Sequence, residues 1–294
     1  MDSLKDTLRG TGVALITPFK KNDDVDFDAL RNMINYVIDG KVDYIVVLGT
    51  TAEAPTLSTP EKTDIIKYTY DIVKKRVPVV VGIGGNNTHA LVSDLASFPL
   101  EEATAVLSAS PYYSKPSQEG IYQHYKTLAK ASPKPIILYN VPGRTAKNIE
   151  ADTIIRLAND VENIGGIKEA GGDFAQCTKV LRDAPKDFLI VSGDDALAMP
   201  QIACGMQGVI SVAANAFPRD FSDMVRASLK CDFKKARTIN DKLVGAYELM
   251  FAENNPAGLK AFLSEMELIK NNLRLPLVPL SKKLQEKVRD YLKK

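Results

Sequence analysis

A lysine near the end of an otherwise apolar run is the most reactive arrangement in this 294-residue chain. The run Ile164-Gly165-Gly166-Ile167-Lys168-Glu169-Ala170 reads as a buried strand, and successive strand residues face opposite sides. Lys168 and Glu169 therefore cannot share a face. If Lys168 points inward, loss of water disfavours its charged form, and a neutral amine is what addition to a ketone requires. The other reading is a lysine ion-paired at a rim, and spacing alone leaves both open. Leu138-Tyr139-Asn140-Val141-Pro142 ends a second such run. There the Tyr139 phenol could relay protons while an imine forms and breaks, or be a core tyrosine with one hydrogen bond.

Three further segments carry groups suited to a small oxo acid. Gly49-Thr50-Thr51-Ala52-Glu53 offers two hydroxyls and flanking amides that could hold a carboxylate; alone it is also an ordinary polar turn. Val141-Pro142-Gly143-Arg144-Thr145 places a guanidinium near Tyr139, suited to bidentate carboxylate recognition. Ser110-Pro111-Tyr112-Tyr113-Ser114-Lys115-Pro116 presents two tyrosines between prolines, the pattern of an exposed aromatic patch at a subunit contact.

Other chemistries find little footing. The two histidines, His89 and His124, are isolated, which argues against a His-rich metal site. Asp194-Asp195 is explained more simply as a helix start than as an ion site. Gly82-Ile83-Gly84-Gly85 misses the dinucleotide-binding spacing, and no Gly-x-Ser-x-Gly elbow occurs. Covalent chemistry without a cofactor or metal is the expectation.

The elements that must position these groups are legible as alternation. Short Val- and Ile-rich runs lie at Val13–Phe19, Asp43–Gly49, Pro78–Gly84, Ala103–Ala109, Pro135–Val141, Ile164–Ala170, Phe188–Gly193 and Gly208–Ala213. Continuous apolarity marks strands buried on both faces of a parallel sheet. Helical patterns separate them. Leu30, Met33, Ile34 and Val37 keep one-faced spacing, and Ser58-Thr59-Pro60-Glu61 reads as the start of a helix reaching about Arg76. The order predicts an α/β fold, a (β/α)8 TIM barrel with a C-terminal helical extension, rather than an open doubly wound sheet. The barrel is expected over 1–226, with its site at the C-terminal strand ends. A helical region, 227–294, should pack on it, broken at Asn255-Pro256 and Leu275–Pro279.

Composition narrows the classes further. Apolar residues make up 45%, charged residues 25%, and the net charge is +2, so a packed globular core is expected and a nucleic-acid partner is not. The basic residues of the last segment (Lys282, Lys283, Lys287, Arg289, Lys293, Lys294) are interleaved with Glu286 and Asp290 and read as a solvated face. Cys177, Cys204 and Cys231 form no CxxC motif and are expected as free thiols in a reducing compartment. Met1–Thr11 lacks a secretory apolar region, and no apolar run has membrane-spanning length. The expected location is the cytoplasm.

With these residues in hand, the chain resembles the dihydrodipicolinate synthase family of pyruvate-dependent Schiff-base aldolases, from about Gly12 to Pro276. The carriers are Gly49–Glu53, Ser110-Pro111-Tyr112-Tyr113, Tyr139–Thr145, Gly166-Ile167-Lys168-Glu169, Ser192-Gly193-Asp194-Asp195 and Gly208-Val209-Ile210-Ser211. The resemblance implies condensation of pyruvate with L-aspartate 4-semialdehyde, towards diaminopimelate and lysine. It implies Lys168 as the imine-forming amine and Tyr139 as the proton relay. Thr50 would link that phenol to a second one, Tyr113, supplied by the neighbouring subunit of a dimer or homotetramer. Thr51, Gly193 and Ile210 would line the pyruvate site, and Arg144 would bind the second substrate's carboxylate. Ala52 and Gly171 depart from the usual pattern. So do Thr59, Lys62 and Ala90, where lysine-sensitive members carry His and Glu, although Asn86 and Tyr112 are kept; weak or absent lysine inhibition follows. N-acetylneuraminate lyases and 2-keto-3-deoxy-sugar-acid aldolases are the nearest alternatives, and they usually lack an arginine at the position of Arg144. A barrel that binds a 2-oxo acid without turnover is a more distant one.

Overall fold

The computed structural model describes residues 3–293, so Met1, Asp2 and Lys294 lie outside it. Eight parallel strands follow one another around a closed barrel. They are β1 (Gly10–Ala14), β2 (Tyr44–Val47), β3 (Val79–Gly82), β4 (Ala105–Ala109), β5 (Ile136–Asn140), β6 (Ile164–Glu169), β7 (Leu189–Ser192) and β8 (Gly208–Ser211). Pairing of β8 with β1 closes the ring, which removes the open-sheet alternative. The continuous apolarity of the strands has a direct cause. On β2, Tyr44 and Val46 pack in the barrel interior while Ile45 and Val47 pack under the helices, so neither face meets water.

β1 begins upstream of the run Val13–Phe19 that apolarity singles out and overlaps it only at Val13 and Ala14. Gly10 and Gly12 form the strand because the space beside them is already taken. A Cβ on Gly12 would meet the Tyr44 ring at 2.2 Å, and one on Gly10 would meet the Asp43 carboxylate at 2.2 Å. Strand-forming glycines of this kind carry no hydrophobic signal. Leu15, Ile16 and Phe19 are buried as well, but in the segment that follows the strand.

The helices start and stop where side chains dictate. Helix Phe27–Asp39 buries Leu30, Met33, Ile34 and Val37. Ser58 and Glu61 form a reciprocal capping box on helix Thr59–Val73, which ends at Lys74 in left-handed backbone, φ 48°, short of Arg76. Helix Pro218–Leu229 packs on β1. Beyond it come helices Phe233–Phe251, Ala257–Glu265 and Lys282–Leu292. Among the described residues no helix is long and apolar enough to cross a membrane. On the last helix only Val288 is buried, and Arg289 pairs with Glu265 at 3.0 Å.

A buried charge cluster fastens the C-terminal region to the turn after β2. Lys260 Nζ lies 2.5 Å from Glu53 Oε1, with both side chains fully buried, as an ionic contact rather than an aligned hydrogen bond. Lys260 also donates to the carbonyl of Asn272 at 2.9 Å and lies 4.2 Å from the Phe19 ring centroid. Burial pulls its pKa down to about 8, against the opposing pull of Glu53. The backbone N–H of Arg274 donates to Glu53 Oε2 at 3.1 Å, and its guanidinium holds Glu61 and the Thr56 carbonyl. That guanidinium keeps the Glu61 carboxyl down at about 2.

Breaking one half of such a buried pair costs more than removing both. Lys260→Met should therefore lose about 3–5 kcal/mol in urea unfolding by leaving Glu53 uncompensated. The double variant Glu53→Gln/Lys260→Met should recover most of that loss. A single variant as stable as the parent would refute the account.

Candidate active site

Strand register sets the central geometry. Tyr139 on β5 pairs with Lys168 on β6, and Asn140 with Glu169. Side-chain alternation then sends Tyr139 and Lys168 together to one face. Lys168 is 5% exposed and Tyr139 7%, and Lys168 Nζ lies 4.3 Å from the Tyr139 ring centroid. Glu169 faces the helices instead. There its carboxylate accepts from Asn140 Nδ2 at 2.9 Å, Gln176 Nε2 at 3.0 Å and the Gly171 N–H at 2.5 Å. Burial raises its pKa against these donors. Among the described residues Lys168 makes no salt bridge, so it is not the ion-paired rim lysine that spacing left open.

The lysine stem fits because its neighbour has no side chain. A Cβ on Gly193, just past β7, would stand 2.9 Å from Lys168 Cε and 2.7 Å from Ala170 Cβ. Above the amine opens a cavity of about 520 Å³. Thr50, Thr51, Tyr139, Arg144, Lys168 and Gly193 all line it, so six of the eight candidates meet in one place.

The turn Thr50–Ala52 is closed by Glu53 in left-handed backbone, φ 55°. Ala52 itself is not in that region, which is why alanine is accepted there. Thr51 Oγ1 accepts from Asn255 Nδ2 at 2.9 Å. Arg144 sits on the single turn Pro142–Thr145, and its Nη2 donates to Asn254 Oδ1 at 3.0 Å and to the Asn255 carbonyl at 3.3 Å.

Two candidates stand apart. Tyr113, φ 71° and 88% exposed, projects from the surface after β4 and does not line the cavity of its own chain. Ile210 is buried in the barrel interior with Tyr139 and Val191 and does not line the cavity. The Asp194-Asp195 pair also divides. Asp194 Oδ1 caps a turn, accepting from the N–H groups of Ala196 and Leu197. Asp195 is buried and accepts from the N–H groups of Val212 at 3.2 Å and Ala213 at 2.8 Å, tying the segments after β7 and β8 together. Burial pushes its carboxyl up to about 6. A helix start explains only the first of the two.

The residues that sequence reasoning missed come from the C-terminal region: Tyr247, Phe251, Asn254 and Asn255 all line the cavity. The one available signal was the pair of amides before Pro256, which reads as a break and nothing more.

The model of the dihydrodipicolinate synthetase family matches residues 7–294. A 4-hydroxy-tetrahydrodipicolinate synthase of Flavobacterium psychrophilum is 50% identical over 279 residues, 95% of each chain. One of Parabacteroides distasonis is 48% identical over 286 residues, 97% of this chain and 96% of that one. Among solved structures, the dihydrodipicolinate synthase of Aquifex aeolicus superposes with a TM-score of 0.94 at 39% identity, over 97% of each chain. A chloride-inhibited dihydrodipicolinate synthase of Acinetobacter baumannii, complexed with pyruvate, gives 0.95 at 39% identity over 98% of each. With its barrel, its buried lysine–tyrosine pair and these likenesses over nearly its whole length, the chain belongs to the dihydrodipicolinate synthetase family.

Proposed function

We propose that this protein condenses pyruvate with L-aspartate 4-semialdehyde at Lys168, the activity for which its relatives are named. The observation that carries the reading is the Lys168 amine, buried without a carboxylate partner against Tyr139. It lies at the base of a cavity that also holds two threonines and an arginine. The amine adds to the keto carbon of pyruvate, and the carbinolamine loses water to give an imine. Loss of a methyl proton leaves an enamine, whose carbon attacks the aldehyde of the second substrate. That substrate's own amine then adds to the imine carbon and displaces Lys168 as the ring closes. Tyr139 carries protons to and from the carbinolamine. Thr50 and Thr51 hold the pyruvate carboxylate, beside Gly193 and above Ile210, and Arg144 takes the carboxylate of the semialdehyde. No cofactor enters the scheme.

The arginine favours this activity over a sugar-acid lyase, and the buried lysine–tyrosine pair favours it over a barrel that binds without turnover. The reading includes a catalytic barrel, 1–226, whose mouth is shaped by the helical region 227–294. It also includes a homotetramer built from dimers, in which Tyr113 of one copy reaches Thr50 of another; the exposure of Tyr112 and Tyr113 supports this. A cytoplasmic location is consistent with three free cysteines.

Borohydride reduction in the presence of pyruvate should leave a stable adduct on Lys168 in peptide mapping, and an adduct on any other lysine would overturn the assignment. Tyr139→Phe should lower kcat by about 10²–10⁴-fold, the usual worth of a placed acid–base group. Gly193→Ala, which crowds Lys168 Cε, should slow trapping by roughly tenfold or more, the equivalent of about 1–3 kcal/mol of overpacking. With Thr59, Lys62 and Ala90 at the positions where sensitive members carry His and Glu, the enzyme should keep its activity in millimolar lysine. Half-inhibition below that range would contradict this expectation.

A further inference from the structure

Asn254 stands between helices Phe233–Phe251 and Ala257–Glu265, with φ at 76°. Asparagine is among the few residues with side chains that enter left-handed backbone at low cost. That conformation turns its amide towards the barrel. Oδ1 accepts from the N–H of Asn255 at 3.0 Å, which fixes the amide orientation, and from Arg144 Nη2, also at 3.0 Å. The Asn255 carbonyl accepts from the same nitrogen. Both contacts thus use one corner of the guanidinium. Its Nε and Nη1 have no protein partner among the described residues, and no carboxylate lies within salt-bridge distance of it. A guanidinium offers its donors as a planar fork matched to a carboxylate. Neutral oxygens here anchor one prong and leave the charge and the rest of the fork free at the cavity.

We infer that Asn254 is a positioning residue for the second substrate: through Oδ1 it aims the Arg144 guanidinium at the carboxylate of the semialdehyde. This rests on the role given to Arg144 above. The choice of amide over acid is part of the device. An aspartate of the same shape would pair with Arg144 and compete with the substrate for its charge, whereas the amide orients without neutralising. The effect belongs to the second substrate, since among the described residues Asn254 makes no hydrogen bond to Lys168, Tyr139 or the threonines.

Steady-state kinetics on Asn254→Gly and Asn254→Asp test the inference. Glycine keeps the left-handed backbone and deletes only the amide. KM for aspartate semialdehyde should rise by roughly tenfold, as for loss of one hydrogen bond to a charged group. KM for pyruvate and the rate of borohydride trapping should stay at the parent values. Asn254→Asp, nearly isosteric and tolerant of the same backbone, should raise that KM further than glycine does. The inference is overturned if Asn254→Gly keeps the parent KM for the semialdehyde, or if trapping of pyruvate falls in parallel, since a general loosening of the mouth would do the latter. Should the glycine variant fold poorly, an aspartate variant with unchanged KM overturns it equally. A parent enzyme that traps pyruvate but never consumes the semialdehyde would instead sink the proposed function itself.

Discussion

Taking an amine out of water without giving it a carboxylate is costly, and the site is organised around sustaining that arrangement at Lys168. The charge that follows it in sequence is sent to the other face of the strand, where Asn140, Gln176 and the Gly171 amide absorb it. What the lysine meets instead is the face of Tyr139 and a bare glycine backbone. Tyr139 is its partner in strand register, and Gly193 follows directly on β7, so both neighbours come from the barrel itself.

The barrel alone does not complete the site. Its mouth is finished by a connection between two C-terminal helices, whose consecutive asparagines face different groups. Asn255 reaches the turn that carries Thr51, and Asn254 reaches Arg144. The same region is held from beneath by the Lys260–Glu53 pair and by Arg274. Glu53 is the residue whose left-handed backbone closes the threonine turn. One turn is thus fixed at both ends by residues more than two hundred positions away, which gives the C-terminal helices a direct part in the geometry of the cavity.

Much of the architecture was legible because burial on both faces writes a simple pattern. Seven strands lie within the runs marked by Val and Ile, and the capping box of Ser58 and Glu61 stands where those residues foretold a helix start. β1 was misplaced because glycines form it. Gly12 leaves room for the Tyr44 ring and Gly10 for the Asp43 side chain, and hydrophobicity does not record an absence of atoms. Asp195 was taken for a helix start because a carboxylate accepting backbone N–H groups from a distant segment looks, in sequence, like one accepting them from its own helix.

The sequence by itself determined the barrel, the inward-or-outward choice between Lys168 and Glu169, and the chemical types gathered at the strand ends. These follow from alternation and periodicity, which are local properties of the chain. Only the tertiary structure decided that Lys168 is the inward member and that Tyr139 is its neighbour in register. It alone separated Ile210 from the cavity wall and brought Asn254 and Asn255 into it. Those outcomes depend on how strands align around a closed ring and on where the helices beyond it come to rest. Contacts between residues far apart in the chain leave no periodic trace along it.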